Sequence, residues 1–142
     1  MRRPHLQYDA ERLEKACQQL GLQLVVLFGS RASGKPPPGP DSDVDLAVLG
    51  TTEKKLWSDY QTLAPIFPGY MLDFACLHTA DPLFRYEIMR SGILLHGDPD
   101  LFYDYRAYAY RDFIDSADLR NLEASLFKKK MAYIAEQLYG PS

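Results

Sequence analysis

Apolar positions along this chain follow two periods, and the switches between them mark the elements. Leu13, Ala16, Cys17 and Leu20 recur at i, i+3, i+4 and i+7, the spacing of one helical face. Asp9 suits the N-cap and Gly21 the stop, so a helix is predicted over about 9–20. Residues 22–28 are apolar on both faces, as in a strand central to its sheet. A second strand is predicted over 43–49 and a third over 70–77, the latter interrupted by Asp73, which shares a face with Met71, Ala75 and Leu77. Between them, Thr51 or Thr52 can cap a helix reaching about residue 64, with Leu56, Tyr60 and Leu63 inward and Pro65, Pro68 and Gly69 closing it. Asp81-Pro82 and Asp98-Pro99 each open a helix by an N-cap followed by proline at the first helical position. The first ends at Gly92, before a short strand over 93–96. The second runs to about 114, with Phe102, Tyr105, Ala109 and Phe113 in one stripe. A last helix, about 118–138, carries Phe127, Met131, Ile134 and Leu138 on one face and turns Lys128–Lys130 partly outward. The pattern predicts an α/β (α+β) fold: a small mixed sheet backed by helices, then a C-terminal helical hairpin. It forms a single domain over 1–142, with a core at about 9–97 and C-terminal helices at about 98–139.

Composition narrows the function classes. A chain of 142 residues supports one hydrophobic core. Its net charge of −3 offers no general attraction to a nucleic-acid backbone, so no direct nucleic-acid binding is expected. No apolar stretch approaches the roughly 20 residues of a membrane helix, and the Met-Arg-Arg-Pro start has no apolar region behind it. Cys17 and Cys76 fall at core-facing positions and read as reduced thiols of a cytoplasmic protein. The three histidines and two cysteines make no zinc spacing.

The chemistry concentrates between residues 24 and 49. An apolar strand ends at Gly29-Ser30, a proline-rich loop follows, and the next strand opens with Asp43 and Asp45. Strand residues two apart share a face, which places these carboxylates roughly 7 Å apart along the chain. Two such carboxylates repel unless cations sit between them, and hard divalent ions carrying a triphosphate are a common solution. Backbone N–H groups at the Gly29-Ser30 turn would serve that triphosphate. The same letters nearly complete a P-loop, Gly29 to Lys35, but Pro36 stands where the Ser or Thr for magnesium is required. Pro36-Pro37-Pro38 also prevents the helix that should start there.

Gly-Ser-Arg-Ala-x-Gly followed by Asp-Ser-Asp-Val-Asp-Leu-Ala-Val resembles the minimal nucleotidyltransferase (MNT) family of the DNA polymerase β-like superfamily. One departure is a gap of twelve residues between Ser30 and Asp43, two more than is usual; the excess falls in the surface loop at Lys35–Pro40. The resemblance implies a polymerase β-like fold with two Mg2+ ions held by Asp43, Asp45 and Asp73, which are also the catalytic residues. It implies ATP bound at Gly29 and Ser30, with Arg31 the better of the two flanking cations because it is next to the turn and can grip phosphate in two-pronged fashion. Many MNT proteins are antitoxins of HEPN–MNT pairs that transfer AMP to a tyrosine of the partner HEPN ribonuclease, which implies that activity and that partner here. A small-molecule (aminoglycoside-like) nucleotidyltransferase and an antitoxin acting by binding alone remain as alternatives.

Two further features have ordinary readings. Arg90 and His96 approximate the Arg-x(4–6)-His spacing of HEPN ribonucleases, but Gly92 separates a helix from a strand between them, so the match reads as chance. Tyr103, Tyr105, Tyr108 and Tyr110 are open to two readings, an interface surface or the packing of an amphipathic helix.

Overall fold

A four-stranded mixed sheet carries the molecule. The computed structural model describes residue 4 and residues 6–140, so the expectation for the Met1–Arg3 start lies outside the described residues. The strands are β1 (Leu24–Phe28), β2 (Val44–Leu49), β3 (Leu72–Cys76) and β4 (Ile93–Gly97), in the order β3-β2-β1-β4. β1 runs antiparallel to both β2 and β4, whereas β2 and β3 are parallel. The parallel pair is joined through helix α3 (Glu53–Leu63), as a parallel crossover requires. β1 is central and its first four residues are buried, which is why the sequence shows no alternation there.

Each face of the sheet has its own core. Helix α1 (Ala10–Leu20) and α3 pack Leu13, Cys17 and Leu63 against Val25, Leu27, Val44, Leu46 and Val48. Helices α4 (Pro82–Ser91) and α5 (Pro99–Asp115) pack Ile88, Met89, Phe102 and Ala109 against Leu24, Val26 and Ala47. Fully burying one such leucine contributes about 1.5–3 kcal/mol. The predicted caps are in place. Asp9 accepts from the Arg12 N–H at 3.1 Å, Thr52 from Lys55 at 3.3 Å and Asp81 from Phe84 at 2.9 Å.

Two polar anchors that periodicity could not indicate hold the site-bearing strands. Buried Arg85 on α4 donates to the carbonyls of Leu77 (3.0 Å), His78 (3.1 Å) and Ala80 (2.8 Å), and to Asp112 on α5 at 2.9 Å. It thereby fixes the chain leaving β3. At the end of β2, the Thr51 hydroxyl donates to buried Asp59 on α3 at 2.5 Å.

Helix α6 (Ala117–Tyr139) completes the helical C-terminal part. From residue 121 to 140 every residue is exposed, including Phe127, Met131, Ile134 and Leu138, which the sequence pattern places on an inner face. Leu119, Leu122, Leu126 and Tyr133 lie around toward the other side of the helix, so its apolar residues form no single stripe for this chain to cover. Among the described residues, no helix is long and apolar enough to cross a membrane.

Candidate active site

The strand register brings the predicted carboxylates together. In the parallel pair Asp45 of β2 lies directly beside Asp73 of β3, and in the antiparallel pair it lies beside Phe28, the last residue of β1. Gly29 follows at once. Asp73, Asp45 and the Gly29 turn therefore stand in a row across three neighbouring strands, each step about 4.8 Å. Asp43 is exposed and sits just before β2 begins, one residue later than the predicted strand start.

Electrostatics show how tightly the carboxylates are grouped. Burial, the charge of Asp73 and the charge of Asp43, in that order, push the Asp45 carboxyl up from 3.8 to about 6. Like charges side by side on a sheet are destabilising. Their persistence at the mouth of a well-packed core marks a place where the fold carries strain that stability alone does not explain.

Gly29 has φ +74°, a left-handed conformation that L side chains rarely adopt, and a Cβ there would run into Oδ2 of Asp45. Only glycine lets the backbone pass that close to the carboxylate. The helical turn α2 (Ser30–Ser33) starts here, its Ala32 and Ser33 N–H groups donating to the Gly29 carbonyl at 3.1 and 3.0 Å. A turn of four residues has little macrodipole, so any grip on an anion rests on individual N–H groups and the Ser30 hydroxyl. Gly29, Ser30, Ser33, Lys35, Phe84, Glu87 and Arg90 line a cavity of about 420 Å3 beside the turn.

Arg31 occupies a different position from the one its proximity to Gly29-Ser30 suggests. It is buried, with Nε and Nη2 donating to the Ser42 carbonyl at 3.1 and 2.8 Å, and Nη2 also to the Gly39 carbonyl at 3.0 Å. Its guanidinium lies 4.6 Å from the Tyr70 ring centroid. Arg31 thus pins the extended loop to the base of the site, which explains how the two extra residues are accommodated. The cations lining the cavity are Lys35 and Arg90. Lys35 is the second of the two cations that flank the Gly29-Ser30 turn in sequence, whereas Arg90 is brought to the cavity wall by α4. Arg90 and His96 are unconnected here: Arg90 pairs with Glu87 at 2.9 Å, while His96 faces Glu14 at 2.6 Å and the Leu22 carbonyl at 3.1 Å.

Among the described residues, no three His, Cys, Asp or Glu side chains converge into a closed metal cage. Magnesium does not need one. It keeps several waters and is held by one or two carboxylates plus substrate phosphates. An all-oxygen pair at Asp45 and Asp73, with Asp43 adding charge alongside, fits that mode of binding. The donor set has no soft ligand to favour a transition metal.

Likeness to known proteins agrees with this geometry. No curated protein matches the chain. Among solved structures, it resembles a toxin–antitoxin complex with AMP-PNP at 21% identity and TM-score 0.66, over 84% of this chain and 98% of that one. It also resembles a complex of tri-AMPylated Shewanella oneidensis HEPN toxin with MNT antitoxin, at 19% identity and TM-score 0.62, over 83% and 95%. At such identities these establish a shared fold. A family model, "Polymerase beta, Nucleotidyltransferase", matches residues 11–101, which span both the Gly29 turn and all three carboxylates. With that match covering well over half its length, the chain belongs to the polymerase β nucleotidyltransferase family.

Proposed function

We propose that this chain is a protein adenylyltransferase and the antitoxin half of a toxin–antitoxin pair. It transfers AMP from ATP to a tyrosine of a partner HEPN ribonuclease, releases pyrophosphate and silences the partner in the cytoplasm. The observation that carries this reading is the row Asp73–Asp45–Gly29, two adjacent carboxylates beside a turn that a side chain would block. Further support comes from the fold's likeness to a toxin–antitoxin complex with AMP-PNP and to one containing an AMPylated HEPN toxin.

Asp43, Asp45 and Asp73 are the catalytic carboxylates and would hold two Mg2+ ions, which when bound offset the charge of the polyphosphate and its leaving group. Gly29 and Ser30 bind the outer phosphates, and Lys35 and Arg90 supply countercharge from the cavity wall. This arrangement leaves the α-phosphorus over Asp45. The phenolic oxygen forms a bond to that phosphorus while the bond to the β-phosphate oxygen breaks, and the electron pair leaves with pyrophosphate. Asp73, on the attack side, takes the phenolic proton. Placing the reactants in line accounts for most of the catalysis, since little covalent chemistry falls to the protein.

The test is intact mass measurement of a HEPN partner protein after incubation with this chain, ATP and Mg2+. Adenylate units should appear with wild-type protein and be absent with Asp45→Asn. A partner silenced without any mass increase would replace this reading with inhibition by binding alone.

A further inference from the structure

The cavity beside the Gly29 turn has two unlike walls. One carries the Gly29 backbone, the Ser30 hydroxyl and the Lys35 ammonium, groups that suit phosphate. The other, on α4, presents Phe84, Glu87 and Ile88. Those side chains offer a polyphosphate no donor, and the Glu87 carboxylate repels it. Arg90, near the end of α4, is already engaged with Glu87 through Nη2 at 2.9 Å. Phe84 is 41% exposed, yet its ring is held in place: it meets Phe28 edge to face, with centroids 5.7 Å apart and planes at 81°. Glu87 follows Phe84 by three residues, on the same side of the helix.

This wall stands on the carboxylates' side of the sheet. Phe28, Ala47 and Ala75 pack into the core on the α4–α5 side. Asp45 and Asp73 lie two residues from Ala47 and Ala75 along their strands, and so face the same way. Phe28 is also the cross-strand neighbour of Asp45. Asp45, Phe28 and Phe84 therefore succeed one another on one side of the sheet, starting from the carboxylate over which the α-phosphorus is placed.

We propose that Phe84 and Glu87 form the nucleobase subsite: the adenine ring stacks on Phe84 and its amino group donates to Glu87. The inference rests on the adenylyltransferase reading and deepens it, naming what selects the nucleotide. A nucleoside triphosphate needs one wall of anion donors and one flat apolar wall, and the two sides of this cavity supply them. Stacking on Phe84 alone is indifferent to the base, since every base has a π-face. Glu87 adds the selection. A carboxylate only accepts hydrogen bonds, and adenine presents an amino donor where guanine presents a carbonyl oxygen. The bond from Arg90 takes one of the carboxylate's roughly four acceptor positions and offsets its charge beside the phosphates. The acceptor phenol is the competing occupant for the Phe84 ring, and the experiment separates the two.

Calorimetry with Mg2+ and three probes tests this: α,β-methylene-ATP, its guanine counterpart, and inorganic triphosphate, which has phosphates but no base. Phe84→Ala should weaken the ATP analogue at least tenfold and leave triphosphate within about twofold of wild type, which also shows that the variant folds. Phe84→Trp should restore the lost affinity. Glu87→Gln, whose amide both donates and accepts, should reduce the preference for the adenine over the guanine analogue at least fivefold. Equal weakening of analogue and triphosphate by Phe84→Ala would make the ring a support of the phosphate wall and overturn the inference. Unchanged analogue affinity with a raised KM for the partner protein would assign the ring to the acceptor and overturn it too. An unchanged base preference in Glu87→Gln overturns the role given to that carboxylate. The adenylyltransferase reading is judged separately, by AMP transfer from wild type. Transfer that persists while Phe84→Ala binds the analogue normally removes the subsite and leaves that reading standing. Absent transfer with the predicted binding pattern removes the reading and retains the subsite.

Discussion

Replacing Asp45 with asparagine removes one charge from the carboxylate row while keeping its shape, and the metal-free protein should become more stable. With its carboxyl raised from 3.8 to about 6, the folded chain binds this proton more tightly than the unfolded chain does. That contribution to stability is fully present below pH 3.8 and is lost as pH rises through about 6. A shift of this size corresponds to about 3 kcal/mol at most. Asp45 is only partly buried, and solvent screening reduces the figure to roughly 1–2 kcal/mol. For a domain of this size, Asp45→Asn should therefore raise the Tm by about 3–8 °C at pH 7.5 in EDTA. At pH 4 the two proteins should melt within about 1 °C of each other, because wild-type Asp45 is then protonated. Adding Mg2+ with ATP should reverse the order, stabilising wild type and leaving the variant little changed. Scanning fluorimetry at several pH values, with and without metal, tests each part. A gain of stability independent of pH, or a variant no more stable at pH 7.5, would refute the electrostatic reasoning.

Other expectations follow from single contacts. Gly29→Ala forces a Cβ toward Oδ2 of Asp45 at a positive φ, and should weaken ATP-analogue binding at least tenfold while costing about 1–2 kcal/mol of stability, both measurable by calorimetry. Arg31→Ala should destabilise the protein by about 2–3 kcal/mol in urea titrations, through loss of the hydrogen bonds to Gly39 and Ser42. Arg31→Lys should restore less than half, since an ammonium lacks the fork that spans both carbonyls and the plane that stacks on Tyr70. Burial, then the charges of Glu14 and Asp59, push the Cys17 thiol up to about 12, so iodoacetamide at pH 8 should modify it only after unfolding. Truncation after Arg120 removes no buried residue among those described and should change the Tm by no more than about 1 °C.

The elements were legible in the sequence because local signals sufficed for them. Asp9, Thr52 and Asp81 are caps that act within three residues, and their hydrogen bonds are all present. Asp45 was legible as a site residue, since a carboxylate opening an apolar run is anomalous on its own. Its adjacency to Asp73 depends on a register between strands more than 20 residues apart in sequence, which spacing within one strand cannot specify. Arg31 shows the opposite limit. Its neighbours in sequence pointed to phosphate, but its Nε and Nη2 donate to the loop carbonyls of Gly39 and Ser42. Asp59 shares the inward helical face of Leu56, Tyr60 and Leu63, and what makes a carboxylate tolerable there, the Thr51 hydroxyl eight residues earlier, cannot be read from the spacing within the helix. α6 carried apolar residues at helical spacing, yet helical spacing identifies a face without stating whether the same chain covers it.

The central claim is that the α-phosphorus, held between the Gly29 turn and Asp73, is the atom attacked. It is tested most directly by incubating the chain, its HEPN partner and Mg2+ with ATP labelled at either the α- or the γ-phosphate. The account predicts α-label on a tyrosine of the partner, γ-label recovered only in pyrophosphate, and neither transfer nor release with Asp43→Asn, Asp45→Asn or Asp73→Asn. Label retained on the partner from the γ-phosphate would contradict it.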